Sequence, residues 1–286
     1  MTIEDIILDR DRRGISELRP FLPSDFCDQA ANLLISNPGT VLITTGFYIL
    51  ASKAPETDGP PGAIIIEKAL TELGYKVVHV SDQYTTNLLE ETSSQGSQVI
   101  EFPITDNKSS EDFARSLLQE FDPSVLISIE RCGLTDDGYF RNMRGLDMTE
   151  FNAKTDYLFT QHSKTIGIGD GGNEIGMGNL STEVANIASL VDAPCTTTVK
   201  NLVISSVSNW GGYGLVASLS KLKRLNLLPT IEEEQLLLTR MVSLGAVDGT
   251  TSKNENTVDG FAMEEHSAAL ADLHDYLNSI GIPSNT

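Results

Sequence analysis

Thr165-Ile166-Gly167-Ile168-Gly169-Asp170-Gly171-Gly172-Asn173-Glu174-Ile175-Gly176-Met177-Gly178 starts as a β-like run and turns into a glycine-rich loop. It holds six glycines, and Asp170 and Glu174 are its only charged side chains. Glycine permits close backbone approach and positive φ at an entropic cost. Several such residues around two acids and an amide point to a ligand site, where a single glycine would mean only a tight strand-to-helix turn. Gly167, Gly169 and Gly172 spell GxGxxG after a strand, the form of a dinucleotide turn. The signal is weak here. The strand comes late in the chain, Asp170 sits where a pyrophosphate would lie, and Asp192 ends no convincing second strand. Asp170 and Glu174, four apart, share a face of a helical turn. With Asn173 they suit Mg²⁺, Mn²⁺ or a substrate ammonium, and the plainer alternative is a capping carboxylate beside a solvated one. The Gly171 and Gly172 amides, at a helix start, suit a carboxylate or an oxyanion.

Outward from this stretch, apolar runs alternate with amphipathic ones. Strands are expected at 41–45, 76–80, 98–102, 125–129, 164–168 and 201–205. Helices are expected after Gly62 and at 86–91, 110–121 (capped by Ser110), 148–159, 182–190, 215–225, 231–244 and 263–277. This predicts an α/β fold: a mostly parallel, doubly wound, Rossmann-like sheet with helical additions at both ends. Residues 1–38 read as an N-terminal helical cap, and 39–286 as the α/β domain. Ligands of such sheets bind beyond the carboxyl ends of the strands. Those ends are Gly46, Asp82, Glu130-Arg131, Gly169-Asp170 and Ser208-Asn209.

The 286 residues carry 40 acids against 20 bases, a net charge of −20, which weighs against nucleic-acid binding. No apolar run is long enough to span a membrane, and no secretory signal is legible at the N-terminus. Three scattered cysteines suit a reducing, cytoplasmic setting and suggest neither disulfides nor zinc. Whether the chain forms a homo-oligomer is open.

Other stretches carry chemistry. Glu130 ends a strand as a base or metal ligand, and Arg131 beside it suits a substrate carboxylate; a structural Glu-Arg pair is the alternative. Cys132 has no histidine partner in sequence and reads as inert. The 55–62 loop stiffens Glu56 and Asp58, with Asp58 a candidate acid or base. Residues 137–142 form a polar-aromatic loop over the same mouth. Asn209 offers an amide at a strand-to-helix turn beside Trp210.

Five of these stretches, at 56–63, 129–133, 137–142, 169–178 and 207–213, together resemble the C-terminal domain of the D-glutamate cyclase family, in the same order. The resemblance covers roughly residues 40–265. It implies a lyase that converts D-glutamate to 5-oxo-D-proline with loss of water, dependence on Mg²⁺ or Mn²⁺, and no nucleotide cofactor. The vertebrate member carries a further N-terminal hydro-lyase-like domain, for which this sequence shows no counterpart. Residue type and position then assign roles. Asp170 and Glu174 serve metal or ammonium, and one of them is the base. Arg131 holds a carboxylate, and Gly171, Gly172, Asn173 and Asn209 are donors, with Gly46 at the mouth. Glu130 and Asp58 are further acid–base groups. Two other readings stand beside this one: a non-catalytic nucleotide- or amino-acid-binding domain, and a different hydro-lyase acting on a small carboxylic acid.

Overall fold

In a computed structural model, which describes residues 1–284, the apolar runs form one six-stranded sheet. Its strands are β1 (Thr40–Thr45), β2 (Lys76–Ser81), β3 (Gln98–Glu101), β4 (Val125–Ile129), β5 (Thr165–Gly169) and β6 (Asn201–Ile204). All pairings are parallel, in the order β3-β2-β1-β4-β5-β6. The chain winds outward from β1 to one edge, then returns and winds outward from β4 to the other. A cleft therefore opens between the ends of β1 and β4. Val41 pairs with both Val77 and Val125, and Ile43 with both His79 and Ile127. These central residues are fully buried or nearly so, because helices cover both faces.

The helices are α1 (Ile3–Ile7), α2 (Phe26–Ile35), α3 (Pro60–Glu72), α4 (Thr86–Thr92), α5 (Asn107–Phe121), α6 (Asp156–Thr160), α7 (Ser181–Val184), α8 (Ser208–Lys223), α9 (Ile231–Ser243) and α10 (Met263–Ser279). Helix α8 is the hub, packing against α1, α2, α3 and α10. It meets α3 closely at Gly62 and Gly212: a Cβ on Gly212 would lie 3.3 Å from the Gly62 Cα, and one on Gly62 would lie 2.7 Å from Ile129 Cδ1. Side chains there would force α3 and α8 apart and shift both helix starts that border the cleft. Helix α3 begins with Pro60 and Pro61, whose fixed φ and missing N–H suit first positions.

Helix α8 starts at Ser208, earlier than the expected 215, and three other helices differ from their expected spans through side-chain bonds to the backbone. Residues 182–190 hold only the single turn α7, and 148–159 hold a 3₁₀ turn, an extended link and the short α6. The Asn186 side chain donates to the Thr182 carbonyl, and Asn152 likewise to that of Met148. Each amide takes the carbonyl that a continuing helix would need. In α5 the cap is Asp106, whose carboxylate accepts from the Ser109 N–H at 3.0 Å; Ser110 is buried inside the helix.

Candidate active site

The mouth between β1 and β4 is lined by carboxylates. Glu130 follows β4 with φ +42°, a conformation non-glycine residues rarely adopt. Its Oε2 accepts from the Ser208 hydroxyl at 2.6 Å. Asp58 joins the start of α3 to that of α8, accepting the Ser208 and Asn209 N–H groups at 2.8 Å each. Asp170 follows β5 and is fully buried. Asp259 lies in a tight turn between two short strands, Thr257–Val258 and Phe261–Ala262. Asp248 ties that segment down by accepting from the Thr250, Thr251 and Gly260 amides.

Among the described residues, one cation enters this group. Arg13 donates to Asp170 Oδ1 and to Asp259 Oδ1, at 2.6 Å each. Its turn is knotted by Asp11, whose carboxylate accepts from the N–H groups of Arg13, Gly14 and Ser16. The electrostatic result is frustration. Burial pushes the Glu130 carboxyl well above the usual glutamate value, and Glu174, Asp58 and Glu56 push it further. Burial likewise raises Asp170, which Arg13 opposes and its acidic neighbours reinforce. Asp58 is pushed up to about 8, by burial first and then by Asp259. Glu56 is raised by burial, Asp259 and Asp58. These are the conditions under which a carboxyl can hold and pass a proton near neutral pH.

A cavity of about 250 Å³ opens above the cluster. Arg13, Glu56, Glu130, Asn173 and Arg144 contribute its polar wall, and Phe47 and Tyr48 stand on its apolar side. The Glu56 carboxylate faces it closely enough that a Cβ on Gly249 would overlap it.

The residues chosen from sequence fall into three groups. Glu130 and Asn173 line the cavity, and Asp58, Asp170 and Glu174 belong to the carboxylate cluster around it. Gly171 and Gly172 are present, but their amides are occupied: Gly171 N–H donates to Glu174 Oε1 at 2.7 Å and Gly172 N–H to Glu174 Oε2 at 2.8 Å. Glu174 thus fills the nest of amides where a substrate carboxylate or oxyanion was expected. Asn209 is spent on packing, accepting from the Gly59 and Gly62 N–H groups and donating to the Thr57 carbonyl.

Arg131 is turned away from the cavity. It pairs with Asp82 at 2.6 Å and donates to the Gly46 and Ala153 carbonyls. Gly46 serves as one of those anchor points and lies against Thr85. Together they lock the ends of β1 and β2. Cys132 is fully buried, and burial raises its thiol well above the ordinary value.

Sequence reasoning missed Arg13, Asp248 and Asp259, and named Glu56 without placing it in the site. One trace was available. Of five Asp-Gly dipeptides, those at 58, 170, 248 and 259 converge here, and only 137 does not. Arg13 left no trace beyond the charged run 9–13.

The cluster offers a cation two overlapping sets of oxygens. In Asp58–Asp170–Asp259 and in Glu130–Asp170–Glu174, one oxygen from each residue lies within 4.8 Å of the others. Asp170 Oδ2 and Asp259 Oδ2 are buried without a hydrogen bond. All-carboxylate donors with unmet oxygens fit a hard divalent ion.

A doubly wound sheet with a buried anionic site at its switch point is a fold and site shared by many chemistries, so kinship narrows the choice. The chain belongs to the D-glutamate cyclase-like, C-terminal family, whose model matches residues 3–274. It is 36% identical over 208 residues to the human protein "D-glutamate cyclase, mitochondrial", an alignment covering 66% of this chain and 34% of the human one. The matched region thus spans about a third of that relative. Among solved structures, the ligand-free aldohexose dehydrogenase of Thermoplasma acidophilum is similar at a TM-score of 0.27 and 14% identity, over 85% of this chain and 88% of that one. So distant a likeness carries no argument. Among the described residues, no helix is long and apolar enough to cross a membrane.

Proposed function

We propose that this chain is a lyase that cyclises D-glutamate to 5-oxo-D-proline with loss of water. The observation that carries the reading is the pair Glu56 and Glu130: two buried carboxyls on the cavity wall, both with raised proton affinity, which suits one in its ionised form to take a proton and the other in its neutral form to give one. Cyclisation moves two protons from the α-ammonium nitrogen to the departing γ-oxygen: one carboxylate takes the first from the nitrogen while a neutral carboxyl gives one to the oxygen, and the two exchange roles for the second, which restores both. The freed amine then attacks the γ-carbon of the same molecule. The C–N bond forms, a C–O bond breaks, and water leaves. Glu130, held by the Ser208 hydroxyl, is the base in this scheme, and Glu56 is the acid. Arg13 and Arg144, the cavity's two cations, receive the substrate's carboxylates. Folding glutamate so that its ends meet lowers the barrier by orienting the reacting atoms.

Mg²⁺ or Mn²⁺ belongs to this proposal, held by carboxylates around Asp170. Bound there, the ion would polarise the γ-carboxylate as a Lewis acid. The test is incubation of the purified chain with D-glutamate and L-glutamate, with and without Mg²⁺ or Mn²⁺. 5-Oxoproline formed from D-glutamate is expected. No 5-oxoproline under any condition would refute the cyclase reading.

A further inference from the structure

The acid of the proposed reaction and the apolar wall of the cavity belong to one hairpin. Tyr48-Ile49 pairs antiparallel with Ala54-Pro55, and the next residue, Glu56, donates its N–H to the Phe47 carbonyl at 2.9 Å. Glu56 lines the cavity together with Phe47, Tyr48, Ile49 and Leu50 of the same segment. Ring contacts stiffen this wall: Tyr48 stacks on Phe151 with centroids 4.8 Å apart and tilts against Tyr84 at 4.4 Å. Leu146 lines the cavity too and is 51% exposed, an apolar side chain left at the rim. A departing water is small and polar and gains nothing from such a surface. A leaving group with an apolar body gains in proportion to the area it covers. Charge points the same way. Among the described residues that line the cavity, the cations are Arg13 and Arg144, and Arg13 is already held by Asp170 and Asp259. Free glutamate brings two carboxylates to this anionic floor. A γ-amide or γ-ester of glutamate brings one, and its neutral γ-carbonyl is a better electrophile than a carboxylate.

We infer that the site also takes γ-substituted D-glutamyl compounds, amides or esters whose departing amine or alcohol carries an apolar group, and cyclises them to 5-oxo-D-proline without loss of water. This rests on the reading above that the α-amine attacks the γ-carbon between Glu130 and Glu56, and changes only what leaves. The α-ammonium gives one proton to the Glu130 carboxylate. The amine forms the C–N bond, the bond from the γ-carbon to the leaving nitrogen or oxygen breaks, and Glu56 puts a proton on that atom. Glu56 regains a proton from the ring nitrogen. Glu130 passes its own to solvent or to the freed amine, which departs as an ammonium ion. Nothing is oxidised. The apolar group lies along the wall from Phe47 to Leu50 and reaches solvent past Leu146, and Arg144 meets the one remaining carboxylate.

The test incubates the full chain, with Mg²⁺ or Mn²⁺ present, with three probes in parallel: D-glutamate, its γ-methylamide and its γ-benzylamide. The two amides release amines of similar basicity and differ mainly in apolar bulk. Chromatography follows 5-oxoproline, D-glutamate and the free amine. The γ-benzylamide is expected to give 5-oxoproline and benzylamine in equal amounts, with kcat/KM at least about tenfold above that of the γ-methylamide. Leu50→Ser and Leu146→Ser change half-buried and exposed rim positions, so the fold should hold, and thermal melting checks it. Each is expected to cut the benzyl-over-methyl preference by about threefold.

Four results would overturn the inference. An inert γ-benzylamide beside active D-glutamate would sink it and leave the cyclase reading standing. Benzylamine released together with D-glutamate would mean that water, not the α-amine, attacks. Equal kcat/KM for the two amides, or a preference that both leucine variants leave intact, would mean that the wall does not touch the leaving group. Three inert probes would sink the inference and the cyclase reading together. Cyclisation of the γ-benzylamide beside inert D-glutamate would instead support the inference and remove loss of water from the reading.

Discussion

Buried acids occur in two kinds of place in this protein, and they behave oppositely. Glu67 and Glu234 lie in the core between helices and sheet. Each faces a fully buried histidine, His79 at 3.1 Å and His266 at 3.2 Å. Glu67 also accepts from Ser97 and the Ser94 N–H, and Glu234 from Ser267 and Tyr213. Burial works against both carboxylates, yet these partners outweigh it and hold them below the ordinary value. At the mouth, Glu56, Asp58, Glu130 and Asp170 are equally buried, share one arginine, and are all pushed upward. Burial of charge therefore does not mark the site. Burial without enough donors does, because stable cores satisfy their polar groups and functional sites leave some unmet.

The largest effect expected from this contrast is catalytic. Glu130→Gln keeps the size and the Ser208 contact but removes the proton acceptor. If the proposed reaction holds, turnover of D-glutamate should fall about 10³-fold, or ~4 kcal/mol of barrier. The melting temperature should hold or rise, since one of several repelling charges is gone. A variant that lost stability together with activity would class Glu130 with the core acids.

Next in size is the converse change. Glu234→Ala leaves His266, Tyr213 and Ser267 buried without their shared acceptor. A loss of about 3 kcal/mol in urea unfolding is expected, with turnover per folded molecule preserved. Unchanged stability would remove the basis for calling this cluster structural.

Dependence on pH should separate the two regions by sign. Glu67 and Glu234 sit below the unfolded value of 4.5, so their contribution is present above it and fades as pH falls through their folded values. Asp58 sits at about 8 against an ordinary 3.8, so its contribution is present at low pH and is lost as pH rises through about 8. In metal-free buffer, Asp58→Asn should flatten the fall of melting temperature between about pH 5 and 9. Glu67→Gln should flatten only the acid limb. Parallel curves for both variants would erase the distinction.

Much of this architecture was legible in the sequence, and the reasons are local. Apolar runs such as 41–45 and 125–129, bounded by glycine and polar turns, read as buried parallel strands, and the alternation with helices fixed the doubly wound class. Glu130 and Asp170 were legible as site candidates because the fold places strand ends at the mouth. Arg131 was not, because successive side chains at a strand end point to opposite sides. With Glu130 facing the cavity, Arg131 turns toward Asp82 and the Gly46 carbonyl. Arg13 and Asp259 stand 246 residues apart and meet only through tertiary packing, which no local period encodes. The Asn152 and Asn186 side chains cut two helices short by a competition that apolar spacing does not report.

The smallest effect concerns the rim, where the anionic floor meets the substrate's own negative charge. In the proposed reaction D-glutamate would carry two carboxylates into a cavity whose acids repel them, and Arg13 is already shared by Asp170 and Asp259. Arg144 lines the same cavity from a more exposed loop. Exposed charges are screened, so its contribution should be modest and felt mainly in binding. Arg144→Ala is expected to raise KM about tenfold, ~1.4 kcal/mol, and to leave kcat nearly unchanged. The increase should shrink at high salt, as screening already weakens the wild-type contact. A fall in kcat with KM unchanged would instead place Arg144 against the reacting carboxylate, and the division between a buried reacting floor and a charged, screened rim would have to be redrawn.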